Sequence, residues 1–115
     1  MNTQEFEAFD SLNTEIIILN ADNFSLTWLN DSAKAANWIG DSTKYQGKDI
    51  FSFLDEKAAK QVKKILIKAK INSGSITRRD FVITHDGDLA RTVDLTITYS
   101  DKKNLIFIEA VSIDN

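Results

Sequence analysis

Hydrophobic residues recur every three positions at the start of the chain, and this spacing predicts a short amphipathic helix over residues 1–13. The apolar stripe of this helix comprises Phe6, Phe9 and Leu12. Burial of each of these side chains stabilises a fold or an interface by about 1.5–3 kcal/mol. We therefore expect the stripe to lie against the rest of the chain or against another copy of the protein.

The next sixty residues predict a hairpin followed by helices. Strands are predicted at residues 15–19 and 24–29, because both segments are apolar or β-branched and turn formers separate them. Asn30 can cap a short helix, and Asp55 can cap a long one that ends at residues 72–74. The apolar face of the long helix consists of Ala58, Ala59, Val62, Ile65, Leu66 and Ala69.

The remaining residues change to an alternation of apolar and polar positions, which is typical of strands. Residues 79–84, 92–99 and 105–113 predict three further strands, with a hairpin turn at Asp86-Gly87. The whole order is helix, two strands, helices and three strands. This order predicts an α+β fold with a five-stranded antiparallel sheet.

Two of the predicted strands are apolar on both faces, as the central strands of a covered sheet would be. They are residues 16–19 and 105–108. The middle helices can cover one face, whereas only the opening stripe or another copy remains for the second. We expect a homodimer through this second face. Its predicted interface residues are Phe6, Phe9, Leu12, Ile17 and Phe107.

Several strings, in this order, resemble a PAS domain, a small sensor and interaction module of signalling proteins. The resemblance covers residues 12–113 and implies one domain over residues 1–115, with the PAS core at residues 14–113. It places the long helix and short helices on one face of the sheet and the opening helix on or near the other. The strings are Trp28-Leu29-Asn30-Asp31-Ser32-Ala33, Trp38-Ile39-Gly40, Gly47-Lys48-Asp49-Ile50-Phe51-Ser52-Phe53-Leu54 and Asp86-Gly87.

The two ends of the chain resemble one branch of that family, the N-terminal sensor domain of NtrB-type nitrogen-regulation histidine kinases. The strings are residues 11–19 and 107–115. The resemblance implies a cytoplasmic, dimeric two-component kinase that phosphorylates a response regulator. Its phosphoacceptor and ATP-binding domains are not among the 115 residues. We therefore expect a fragment without catalytic activity of its own.

Many PAS domains hold a ligand between the long helix and the sheet, and the resemblance suggests which residues would line such a space. The candidates are large and mostly apolar, so we expect a filled core and no cofactor. A small-molecule receptor remains the alternative. The candidate pocket residues are Trp28, Asn37, Phe53, Leu66, Phe81 and Leu95.

Composition excludes several kinds of chemistry. The absence of cysteine excludes disulfides, thiolate metal sites and cysteinyl adducts. One histidine, His85, cannot close a zinc site, and its place before a predicted turn indicates a solvent-facing residue. The longest unbroken apolar runs have four residues, whereas a membrane-spanning helix needs about 20.

Basic residues are concentrated between Lys57 and Arg79, a stretch that contains eight of the 14 and no acidic residue. The simpler interpretation is the solvated face of the long helix. The sharper one is an electrostatic docking face for another domain or protein. Nucleic acid is not expected as a partner, because no aromatic residue lies among these basic residues.

Overall fold

The computed structural model describes residues 3–36, 38, 39, 44–84 and 90–113. This part of the chain forms two 3-10 helices, two α-helices and five strands. The elements are an opening 3-10 helix (Thr3–Ser11), β1 (Glu15–Asn20), β2 (Leu26–Leu29), α1 (Asp31–Ala35), a second 3-10 helix (Ile50–Phe53), α2 (Glu56–Asn72), β3 (Ser75–Ile83), β4 (Arg91–Ser100) and β5 (Leu105–Ser112).

The five strands form one antiparallel sheet in the order β2-β1-β5-β4-β3. The α+β fold class and the five-stranded sheet predicted from the sequence are confirmed. β1 and β5 occupy inner positions, with Ile17 opposite Ile108 and Ile18 opposite Phe107. Their apolar residues on both faces are therefore explained by burial on both sides of the sheet.

α2 covers one face of the sheet, where it packs against β3 and β4. The side chain of Asp55 caps it by accepting a hydrogen bond from the backbone N–H of Ala58 at 2.7 Å. Ser73 ends it in the left-handed conformation, with φ 49°. The predicted cap and stop are both confirmed. The buried face of α2 consists of Ala58, Val62, Ile65, Leu66 and Ala69.

The opening helix is a 3-10 helix of nine residues. Side chains three residues apart fall on the same side of such a helix, because it has three residues per turn. The spacing of Phe6 and Phe9 therefore brings both rings to the sheet, in a cluster separate from the core under α2.

β3 is an edge strand interrupted by a bulge between Arg78 and Phe81. Asp80 adopts a φ of 54° there, and its backbone N–H donates to Oδ1 of Asp94 at 3.1 Å. A bulge of this kind bends an edge strand and disfavours pairing with another chain. The turn predicted at Asp86-Gly87 lies outside the described residues, as does His85.

Candidate functional site

The candidate functional site is the outer face of the sheet, which we define as the face opposite α2. Phe6 and Phe9 lie on it, with ring centroids 5.7 Å and 6.2 Å from that of Trp28. Phe6 is 3% exposed and Phe9 is half-buried. The opening helix therefore covers part of this face within a single chain. The other members of the outer-face cluster are Ile16, Ile18, Leu105 and Phe107.

Asn30 holds the opening helix in place from the end of β2. Its side chain is fully buried and makes four hydrogen bonds. Nδ2 donates to the carbonyl oxygens of Phe9 and Thr14 at 3.0 Å and 2.8 Å. Oδ1 accepts from the backbone N–H groups of Ile16 and Ala33 at 2.9 Å and 3.0 Å. The predicted cap of α1 is confirmed, and the same residue also ties the opening helix to β1.

Part of the outer face remains open to solvent. Leu12 is 44% exposed and Val111 is 49% exposed. Both lie toward the same end of the sheet, because Leu12 precedes the start of β1 and Glu15 pairs there with Ala110, the neighbour of Val111. Toward β4 and β3 the face becomes polar, with hydroxyl pairs between facing strands, such as Thr77 with Thr96. On this face of β5 the exposed Glu109 stands between Phe107 and Val111, so the apolar surface near the end of β5 is a separate patch and does not continue the outer-face cluster.

The prediction that Ile17 lies on the second face is wrong. Ile17 is fully buried in the core under α2, together with Leu19 and Ile108. The side chains of a strand alternate between faces, so Ile16 and Ile18 point to the outer face instead. A run that is apolar at every position contains no local signal that distinguishes these two assignments.

The six predicted pocket residues do not line one space. Leu66 and Leu95 are buried in the core between α2 and the sheet, and Phe53 and Phe81 pack against its margin. The prediction that Trp28 lines the same space is wrong, because this residue belongs to the outer-face cluster. Its placement follows from its pairing with Ile18 across β1 and β2. Asn37 lies outside the described residues.

A groove of about 530 Å³ runs between the start of α2 and the bulged part of β3. Lys57 and Gln61 line it from α2, and Arg78, Asp80 and Phe81 line it from β3. Charged side chains of both signs therefore meet one aromatic ring at the edge of the sheet. Ligand sites commonly measure about 300–1,000 Å³, so the groove is large enough for a small molecule.

A buried ion pair, which the sequence analysis missed, joins β1 to β4. The guanidinium of Arg91 donates to Oε2 and Oε1 of Glu15 at 2.7 Å and 2.5 Å. Trp38 Nε1 donates to the same carboxylate at 2.6 Å, and the hydroxyl of Ser112 lies 3.3 Å from its second oxygen. Glu15 is 5% exposed. The only sequence signal was a carboxylate directly before an apolar run.

The described residues contain no group of acidic, histidine or cysteine side chains that could hold a metal ion. In the same part of the chain, no helix combines the length and the apolar character needed to cross a membrane.

Comparisons with known proteins identify the architecture. No protein-family model matches the sequence, and neither does any curated protein sequence. The PAS domain of nitrogen regulation protein NR(II) from Vibrio parahaemolyticus is similar in structure, with a TM-score of 0.73. It is 14% identical, and the match covers 97% of this chain and all of that one.

Two further solved structures support the same architecture. The PAS domain of an HTR-like protein from Haloarcula marismortui has a TM-score of 0.66 at 19% identity, covering 96% of each chain. The PAS domain of the quorum-sensing receptor RpfR from Cronobacter turicensis, solved in complex with BDSF, has a TM-score of 0.68 at 15% identity. That match covers 90% of this chain and 97% of the other.

Proposed function

Because the chain has the PAS fold, we propose that it is a signal-sensing and dimerisation domain of a cytoplasmic sensor histidine kinase of the nitrogen-regulation type. In this proposal the whole chain forms one domain, in which the opening helix is attached to the PAS core. The proposal also includes the catalytic domains of that kinase, which are not among these residues, and the response regulator that the kinase phosphorylates. The nitrogen-regulation part of the proposal is suggested by the PAS domain of nitrogen regulation protein NR(II), whose fold this chain resembles.

The observation that carries the proposal is the partly covered outer face. The opening helix is docked there through Phe6 and Phe9, and exposed Leu12 and Val111 leave apolar surface near the end of β5, beyond the carboxylate of Glu109. A second copy placed on these exposed residues would contact both the segment after the opening helix and β5. A change in how two copies pack would therefore alter the position of the end of β5, and a shift of a few kcal/mol between two packings is sufficient for a switch.

The revised interface consists of Phe9, Leu12, Phe107 and Val111. Phe6 remains part of it as support beneath the opening helix, because it is buried within its own chain. Ile17 does not belong to it, since it faces α2. The interface is expected to be isologous, so each substitution is placed twice in the dimer.

Sedimentation equilibrium tests the dimer. We expect the unmodified protein to sediment as a dimer at high concentration, and the Leu12→Lys/Val111→Lys variant to sediment as a monomer, because four added lysines meet across one interface. Ile71→Lys is the matched control, since Ile71 is 75% exposed and lies on α2. A monomeric unmodified protein, or a dimer that survives the double substitution, contradicts the proposal.

The genomic sequence that follows the codon of Asn115 tests the kinase assignment. A following helix that contains a His-Glu pair supports a phosphoacceptor domain. A stop codon there contradicts the assignment and leaves the dimer proposal unaffected.

The second candidate is a small-molecule receptor, and the groove between α2 and β3 favours it. Its lining combines the Phe81 ring with Arg78 and Asp80, which could hold a ligand that has both polar and apolar parts. Mass spectrometry of the native protein purified from its host distinguishes the two candidates. A stoichiometric small molecule that is lost in a Phe81→Ala variant supports the receptor, and protein of bare mass supports the dimerisation domain.

A further inference from the structure

α2 carries two isoleucines on the side that faces solvent. Ile67 is 43% exposed and Ile71 is 75% exposed, although the opposite side of the same helix is buried in the core. Residues four apart are neighbours on a helix surface, so these two side chains form one apolar ridge. A helix whose other side already fills the core does not need this ridge for folding.

Lysines surround the ridge. At about 100° per residue, Lys60 and Lys64 project within about 40° of the mean direction of the two isoleucines. Lys60 is paired with Glu56 at 3.2 Å. Within the described part of the chain, four other lysines of α2 form no ion pair with a carboxylate. These are Lys57, Lys63, Lys64 and Lys68.

We propose that this basic and apolar face of α2 docks an acidic amphipathic helix of a partner protein. The lysines without carboxylate partners supply charge complementarity for acidic side chains, which speeds encounter and selects the partner. Ile67 and Ile71 supply a ridge that fits the groove between the side chains of a facing helix. This face lies on the opposite side of the sheet from the proposed dimer interface, so both can be occupied together.

The pattern favours a protein helix over a lipid surface. A helix that lies in a membrane interface needs a broad, continuous apolar face. On α2 that broad face is buried against the sheet, and the two exposed isoleucines form only a narrow ridge flanked by lysines. The exposed face is therefore too narrow for insertion and is better matched by a few apolar contacts within a charged rim.

A second copy of this chain does not fit the same face. The opening helix carries Glu7 and Asp10, so it is the acidic helix with which another copy would contact this face of α2. Its aromatic side chains, however, are turned inward onto Trp28. It therefore lacks an outward apolar stripe for the ridge of α2.

The experiment uses two synthetic helical peptides with leucine at the same heptad positions. One carries glutamate and the other carries lysine at the remaining positions. Titration of ¹⁵N-labelled protein is followed by NMR. We expect saturable shifts from the acidic peptide only, confined to residues 57–71. Binding should weaken strongly when ionic strength rises from about 0.1 M to about 1 M, which shortens the Debye length from about 10 Å to about 3 Å.

Two double variants separate the apolar and electrostatic contributions. Ile67→Ser/Ile71→Ser should weaken the acidic peptide about tenfold or more, because the ridge no longer supplies apolar contact. Lys64→Gln/Lys68→Gln should weaken it and reduce its salt dependence. Lys102→Gln is the matched control at an exposed position away from α2, and it should leave binding unchanged. Circular dichroism establishes that each variant is folded.

Four results would overturn the proposal. These are equal binding of both peptides, shifts that map outside α2, unchanged binding by the isoleucine variant, and binding to phosphatidylserine vesicles in the absence of peptide binding. The last result would replace the protein partner with a lipid surface. The oligomeric state of each variant is measured separately, so failure here does not bear on the dimer.

Discussion

The carboxylate of Glu15 and the guanidinium of Arg91 form a two-point ion pair, although 76 positions separate them in the chain. Glu15 begins β1 and Arg91 begins β4, while β5 lies between these strands in the sheet. The Arg91 guanidinium carbon also lies 5.9 Å from the centre of the Trp38 ring. The pair therefore joins β1, β4 and β5 at the end of the sheet where β5 finishes. It also holds Trp38, which follows α1, against the same end.

Removing one partner of this pair should destabilise the fold strongly. Breaking a buried ion pair costs about 3–5 kcal/mol, because the remaining charge is left without compensation. The Arg91 side chain is 23% exposed, so water can reach part of the site. We therefore expect Arg91→Ala to lower the free energy of unfolding by an amount near the bottom of that range, as measured by urea denaturation.

Lys60→Ala is the control for this measurement, since it removes the exposed pair with Glu56. Exposed pairs contribute about 0–1 kcal/mol. A Glu15→Met/Arg91→Met variant should be more stable than Arg91→Ala, because no charge is left buried. Equal losses for Arg91→Ala and Lys60→Ala would contradict the importance of the buried pair.

Replacing Asn30 should loosen the opening helix as well as α1. Asn30→Ala removes four hydrogen bonds, two of them buried and two partly buried, each with a net value of about 1 kcal/mol. Asp55→Ala removes a helix cap alone and should cost about 1 kcal/mol. Chemical denaturation compares the two losses, and hydrogen exchange locates them. If Asn30→Ala costs no more than Asp55→Ala, the tie to the opening helix is unimportant.

The residues of the apolar stripe should contribute unequally to stability, because some are buried and others are exposed. Phe6→Ala is expected to lower the free energy of unfolding by about 3 kcal/mol, the lower end for a Phe→Ala change in a core. Leu12→Ala should have little effect on the monomer, because Leu12 is 44% exposed. Thermal unfolding at low protein concentration measures both. Similar losses at the two positions would show that the helix is docked differently.

Ser73 should gain stability from substitution by glycine. It ends α2 at φ 49° and ψ 48°, a left-handed conformation in which a side chain is strained and glycine is not. We expect Ser73→Gly to raise the free energy of unfolding by about 0.5–1 kcal/mol. Ser75→Gly, within β3, should lower it instead. A loss of stability in Ser73→Gly would refute the assigned conformation.

The sequence by itself determined the elements and their order. Asp55 and residues 72–74 bound the long helix through capping and backbone preferences that act within a few residues. The three-residue spacing of Phe6 and Phe9 likewise specified a helix with one apolar side. Such local signals do not depend on the rest of the fold. They were sufficient to predict the α+β class and to recognise the resemblance to a PAS domain.

Only the tertiary structure decided which face each inner strand residue occupies and which distant residues meet. Ile16, Ile17 and Ile18 are equivalent in the sequence, and the pairing of β1 with β5 separates Ile17 from its neighbours. Glu15 and Arg91 meet because the sheet places β1 and β4 on either side of β5. Register and strand order arise from contacts across the whole chain, so no local pattern contains them.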